Sequence, residues 1–176
     1  MNPPSEDRRK LRTRAALLKA FDALFLELGY EALTVAQVAE RADVGRSTLY
    51  EHFRTKDDLL QASLHGRLDA FAAATSPDAD PRALPALLEH IRASAAVTRR
   101  LLAQPMRSRI ARLLAEQIQA SLVLRGVHPP VAALRAIAVA EAQLALAERW
   151  VFGPVALSAQ AMAEELARLS RAVVAQ

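Results

Sequence analysis

The chain has 176 residues, 23 of them Lys or Arg against 19 Asp or Glu, for a formal net charge of +4; 52% are hydrophobic and none is cysteine. Such a length supports one compact domain with a small appended one, the apolar content excludes a disordered chain, and the missing thiols exclude disulfide scaffolds, thiolate zinc sites and cysteine nucleophiles. The longest uncharged run, Trp150 to Ala163, falls short of a membrane span and is broken by Gly153-Pro154, and Met1 to Asp7 carries acids and prolines where a secretory leader needs positive charge and then an apolar stretch, so a soluble, cytoplasmic protein without a membrane partner is expected.

Leu17, Phe21, Leu24, Phe25 and Leu28 share one side of a 3.6-residue repeat, which predicts a first helix from about residue 8 to residue 28, ended at Gly29 where positive φ is tolerated. Thr34 suits the N-cap of a short helix whose Val35, Val38 and Ala39 face inward. Asp43-Val44-Gly45 supplies turn chemistry before a second short helix, Arg46 to Phe53. Asp57 and Asp58 favour the positive end of a further helix, continued by Leu59, Leu60, Leu64, Leu68 and Phe71. The polar, proline-bounded stretch Thr75 to Pro81 reads as a linker. Helical patterns follow over about 83–103, 108–124, 131–152 and 158–174, punctuated by Pro105, Gly126, Pro129-Pro130 and Gly153-Pro154. No stretch alternates as a strand does and no internal repeat emerges, so the fold class is all-α. An N-terminal helix-turn-helix unit over 8–56, with the motif at about 34–53, precedes a helical remainder over 57–176.

A helix, tight turn and helix over Thr34 to Phe53 can brace DNA with the first helix and lay the second in the major groove. Arg46 can donate a bidentate pair to guanine, Ser47 and Thr48 can reach base edges or phosphate, and Tyr50, His52 and Lys56 can hold the sugar-phosphate backbone. Arg8, Arg9, Lys10, Arg12 and Arg14 form an upstream basic arm able to add phosphate or minor-groove contacts; the plainer reading is a solvated helix start.

These residues resemble the TetR family of bacterial transcriptional regulators. The likeness covers about residues 10 to 62: a helix ending in Gly29-Tyr30, then Thr34-Val35-x-x-Val38-Ala39-x-x-Ala42, then Val44-x-x-x-Thr48-Leu49-Tyr50-x-His52-Phe53-x-x-Lys56-x-x-Leu59-Leu60. The resemblance implies that the segment from Arg46 is the recognition helix, that Tyr50 and Lys56 contact phosphates, and that Thr34 caps the supporting helix near the DNA backbone. It implies double-stranded operator DNA as partner, a homodimer formed through the last two helices, and a small effector held by the C-terminal unit. Asp43 and Gly45 depart from the family's usual glycine and serine. Asp tolerates the left-handed conformation and Gly is an acceptable cap, so the turn is expected to survive at some cost.

Met162, Leu166, Leu169 and Val173 form an i, i+4, i+7, i+11 stripe suited to a dimer partner, although periodicity alone equally allows a place in the monomer core. Glu141, Glu148, Gln117, Gln143 and Trp150 are candidates for lining a mostly apolar effector cavity. For the two glutamates, solvent exposure or pairing across a dimer with Arg135 or Arg149 is preferred, and for Trp150 a core or interface place is the usual one. Arg99, Arg100, Arg107, Arg109 and Arg112 fit a solvated helical face better than an anion site. The histidines lack metal-ligand spacing, and no nucleotide loop, nucleophile elbow or zinc-protease motif speaks for an enzyme, so neither metal nor cofactor is expected. The expected function is DNA-binding regulation, as a repressor released by a small hydrophobic or amphipathic effector, or with a C-terminal unit that only dimerises or binds a protein.

Overall fold

The computed structural model describes residues 4–175. Among these, α-helices are the only regular elements: α1 (Pro4–Leu28), α2 (Val35–Arg41), α3 (Arg46–His52), α4 (Lys56–Ala73), α5 (Ala83–Ala93), α6 (Ala95–Leu101), α7 (Met106–Leu124), α8 (Pro129–Phe152) and α9 (Ala159–Val174). The chain divides into two compact units between His65 and Gly66, inside α4 rather than after Lys56. The first turns of α4 carry buried Leu59, Leu60 and Leu64, and the Ser63 hydroxyl donates to the Asp22 carboxylate on α1, which ties this part of the helix to the first unit.

In that unit, Leu17, Phe21, Leu24 and Phe25 bury the apolar side of α1, with Phe21 and Phe25 stacked at 6.3 Å between centroids. Gly29 ends the helix at φ +78, its amide returning to Phe25 O at 2.9 Å, a conformation in which a side chain is strained. Arg41 then clamps α2 to α1 through two parallel hydrogen bonds to Glu27, both at 2.8 Å.

The second unit is built on α7 and α8, with α9 packed on α5 and α8. Ala132, Ala136 and Ala140 lie fully buried on one side of α8, and such small side chains let it approach larger neighbours closely; Ile110, Leu114, Ile118 and Leu122 are buried along α7. By length and composition α8 is apolar enough to cross a membrane. Its buried side of Ala132, Ala136, Val139, Gln143, Leu144, Ala147 and Trp150 gives that composition another use, as the core helix of this unit.

The single helix expected over 83–103 is two, α5 and α6, parted at Ser94. There the backbone leaves helical geometry (φ −103, ψ 40), and the Thr98 hydroxyl takes up the Ile91 carbonyl at 2.7 Å, an acceptor the broken ladder leaves open. Ser158 caps α9 as its residue type predicts, its hydroxyl accepting from Ala161 N at 3.1 Å.

Candidate nucleic-acid interface

Thr34 and Gln37 close a capping box at the start of α2: the Thr34 hydroxyl accepts from Gln37 N at 3.3 Å, and Gln37 Oε1 accepts from Thr34 N at 2.8 Å. After α2, Asp43 takes φ +53, and Val44 N returns to Ala39 O at 3.0 Å, so the aspartate holds the left-handed turn position that glycine usually fills. Gly45 then starts α3 with no side-chain cap. Val38, Ala39 and Leu49 are buried where α2 meets α3, fixing the angle between them.

Arg46, Ser47 and Tyr50, which lie together at i, i+1 and i+4, are exposed on α3, Tyr50 by 54% despite its ring. Thr48 and His52 are half-buried on the flank, and Thr34 is exposed at the tip of α2.

Lys56 is engaged within the chain. Its Nζ donates to Tyr30 O at 2.7 Å and Leu33 O at 3.0 Å, with Glu31 O at 3.5 Å, and lies 4.4 Å from the Tyr30 ring centroid. The three ammonium protons are thus turned to the carbonyls that follow α1, where a cation is also favoured by the helix dipole. The Tyr30 hydroxyl donates to Asp57 in turn. Lys56 thereby locks the segment between α1 and α2 to the start of α4. Lys56→Ala is therefore expected to lower unfolding stability by about 1–3 kcal/mol, since several acceptors lose a charged donor. The salt slope of DNA binding should stay as it was; a slope reduced by about one, at unchanged stability, would restore the phosphate role.

Thr55 and Asp58 cap α4 reciprocally, Asp58 N donating to Thr55 Oγ1 at 3.0 Å while Asp58 Oδ2 accepts from Thr55 N at 3.0 Å and Arg54 N at 2.9 Å. The Thr-x-x-Asp spacing is a capping-box signal that pattern reading could have used. Partial desolvation pushes the Asp58 carboxyl up, but the hydrogen bonds from Thr55 and Arg54 outweigh it and hold the group below its ordinary value of 3.8. Glu27 is likewise held low, chiefly by its hydrogen bonds from Arg41. Both groups bind protons more weakly folded than unfolded, so their contribution is complete above the ordinary carboxylate range and is lost as pH falls through their lowered values. Denaturant midpoints measured through this acid range should fall less steeply for a Glu27→Gln, Asp58→Asn variant than for the parent.

The basic stretch Arg8 to Arg14 is part of α1, not an extended arm, and its cations are exposed on helix; Arg14 lies over Phe53 at 4.6 Å. It lacks the extended backbone with which arms enter the minor groove.

The structure does not gather the candidate effector residues. Glu141 pairs with Arg107 of α7 at 2.8 Å and Glu148 lies 3.8 Å from the same guanidinium. Gln143 is buried, donating to Phe71 O at 3.0 Å and Ser170 Oγ at 2.9 Å. Trp150 is buried and donates to Leu157 O at 2.9 Å, with Arg92 over its ring; Gln117 is half-buried on α7. A groove of about 270 Å³ in this unit is lined by none of these five, but by residues including Asp80, Pro81, Leu84, Gln160, Glu164 and Arg171.

The dimer stripe is split. Met162 and Leu166 are buried within the chain, whereas Leu169 and Val173 are 37% and 41% exposed. The side that α9 buries is Ala159, Met162, Ala163, Leu166 and Ser170, which leaves Leu169 and Val173 at its edge. On α8, Val131, Leu134 and Ile137 are exposed near the end of α9, where Arg135 Nη1 donates to Val174 O at 3.0 Å. Sequence reading missed these three.

A short capped helix, a left-handed turn and a second helix with an exposed Arg-Ser-Tyr face define a helix-turn-helix DNA-binding unit. Residues 17–63 match the family described as bacterial regulatory proteins, tetR family. The chain is 35% identical over 77 residues to the uncharacterized HTH-type transcriptional regulator YxbF of Bacillus subtilis, covering 41% of this chain and 20% of that protein. With the HTH-type transcriptional regulator TcmR of Streptomyces glaucescens the identity is 39% over 74 residues, 42% of this chain and 33% of that one. The matched part of the chain thus spans a fifth to a third of these relatives. In fold, the TetR-family regulator of Streptomyces coelicolor A3 aligns over 100% of this chain and 99% of its own, at 24% identity and a TM-score of 0.67. Residues 17–63 thus carry the family's DNA-binding domain, and the chain shares its fold with the Streptomyces coelicolor regulator.

Proposed function

We propose that this protein is a sequence-specific DNA-binding transcriptional regulator that works as a homodimer. The exposed face of Arg46, Ser47 and Tyr50, on a helix whose opposite side is anchored by Leu49, carries this reading. The test is selection of preferred duplexes from a random library by the purified protein, followed by titration of the selected and a scrambled duplex at several salt concentrations. Equal affinity for both would overturn sequence-specific recognition.

For the mode of control, the reading is repression, with the C-terminal unit read in one of two ways. An apolar helical unit suits a hydrophobic or amphipathic effector that shifts the dimer away from its DNA-binding form. The internal bonds of Gln143 and Trp150 and the Arg107 to Glu141 pair favour the other, in which the unit serves dimerisation or docking of a protein. A thermal-shift screen separates the two: a specific ligand raises the melting temperature by mass action, whereas a unit that only dimerises ignores the library.

A further inference from the structure

Two guanidiniums lie over the aromatic rings that end α8: that of Arg92 on α5 is 4.7 Å from the Trp150 ring centroid, and that of Arg99 on α6 is 4.4 Å from the Phe152 one. We propose that these arginines, with the exposed side chains of Val155 and Leu157, form a docking surface for an acidic, amphipathic segment of a partner protein. The inference deepens the protein-docking reading of the C-terminal unit and rests on it.

Charge sets the first limit. From His90 to Ala115 the chain has six arginines and no Asp or Glu, and the run from Trp150 to Ala163, which supplies the rings and the apolar side chains, has no charge at all. Arg107 is matched by Glu141 and Glu148, whereas Arg92 and Arg99 are exposed and pair with no carboxylate among the described residues. Geometry comes next. A ring beneath a guanidinium fixes its plane and leaves the N–H groups at its edge to solvent, the fork that takes a carboxylate bidentately with little further ordering. The bond from the Thr98 hydroxyl to Ile91 O holds together the two stretches that carry the arginines. Gly153, where a Cβ would lie 2.5 Å from Arg149 O, lets the chain turn after α8. Leu157 O then accepts from Trp150 Nε1 at 2.9 Å and from Arg92 Nη1 at 3.4 Å, which anchors the connection bearing Val155 and Leu157 beside Arg92. Apolar area decides the partner. Val155 and Leu157 are 37% and 38% exposed, and Phe152 is half-buried. A phosphate backbone meets a protein through its oxygens and would leave this hydrocarbon uncovered, while a peptide alternating carboxylates with large apolar side chains satisfies both parts of the surface.

The test titrates the full-length protein calorimetrically with three peptides of equal length, alternating glutamate with leucine, glutamate with serine, or lysine with leucine. The glutamate-leucine peptide should bind at least tenfold more tightly than the others. Arg99→Gln should weaken that binding about tenfold, the value of one charge-assisted hydrogen bond, and Arg99→Lys, which keeps the charge but loses the planar fork, should weaken it as well. Arg82→Gln, at an exposed arginine of the same unit outside this surface, should leave it unchanged. Equal binding of the glutamate-serine peptide, or an equal loss in Arg82→Gln, would reduce the effect to net charge and overturn the proposal. No binding of the glutamate-leucine peptide, or an affinity untouched by Arg99→Gln, overturns it too. A duplex affinity that falls in Arg99→Gln would make the surface a nucleic-acid contact, and self-assembly lost in that variant would make it a contact between copies; either result overturns the proposal. The docking reading as a whole is decided separately, by the ligand screen above.

Discussion

Replacing Ile137 and Leu169 together with glutamate should leave a helical, folded monomer whose affinity for a two-half-site duplex has fallen by about a hundredfold or more. Both side chains lie on outward faces of α8 and α9, so in the single chain the new carboxylates stay in water and cost little. In a dimer joined through these faces they would be buried opposite their own symmetry copies, as unpaired like charges. Affinity follows because two linked half-site contacts exceed one by roughly 10²–10⁴ in effective concentration. Leu166→Glu provides the contrast. That residue is 1% exposed within the chain, and a charge there should cost about 3–5 kcal/mol of folding stability in monomer and dimer alike. Sedimentation and circular dichroism distinguish the two classes, and a double variant that still sediments as a dimer would place the contact elsewhere.

Arg46→Ala should cost about 1–3 kcal/mol per half-site on the selected duplex and far less on a scrambled one, so the ratio between the two contracts by about tenfold or more. The expectation follows from geometry. Arg46 begins α3, is exposed, and is anchored only through the backbone of a helix held by buried Leu49, so its removal leaves no buried cavity and the fold should be undisturbed. Titrations of both duplexes at fixed salt measure it. An equal loss on both would move Arg46 to the phosphate-contacting group.

Residues whose roles are local were legible in the sequence. Thr34 caps because a side-chain oxygen beside its own helix start needs no distant partner, and Asp43 could be placed at positive φ because few other residue types sit there easily. Lys56 was read by residue type, and an ammonium serves a phosphate or a carbonyl equally; its carbonyl partners are brought to it only by the return of the Tyr30 to Leu33 segment over α4. On α9 periodicity left two places open for the stripe, and the chain divides it: Met162 and Leu166 pack inside beside Ala159, Ala163 and Ser170, where small side chains permit close contact, while Leu169 and Val173 stay exposed. The break at Ser94 has no proline or glycine to announce it and is held by the tertiary hydrogen bond of Thr98.

Trp150 is the only tryptophan in the sequence, and it is 1% exposed, with its indole N–H bonded to Leu157 O. An indole so enclosed emits at shorter wavelength than one in water, which makes the intrinsic fluorescence of this protein a probe of one side chain in the C-terminal unit. Far-ultraviolet dichroism, by contrast, counts the helices of both units. The two signals are therefore not redundant: comparing them through a melt shows, without any label, whether the units lose their structure in one cooperative step or in two.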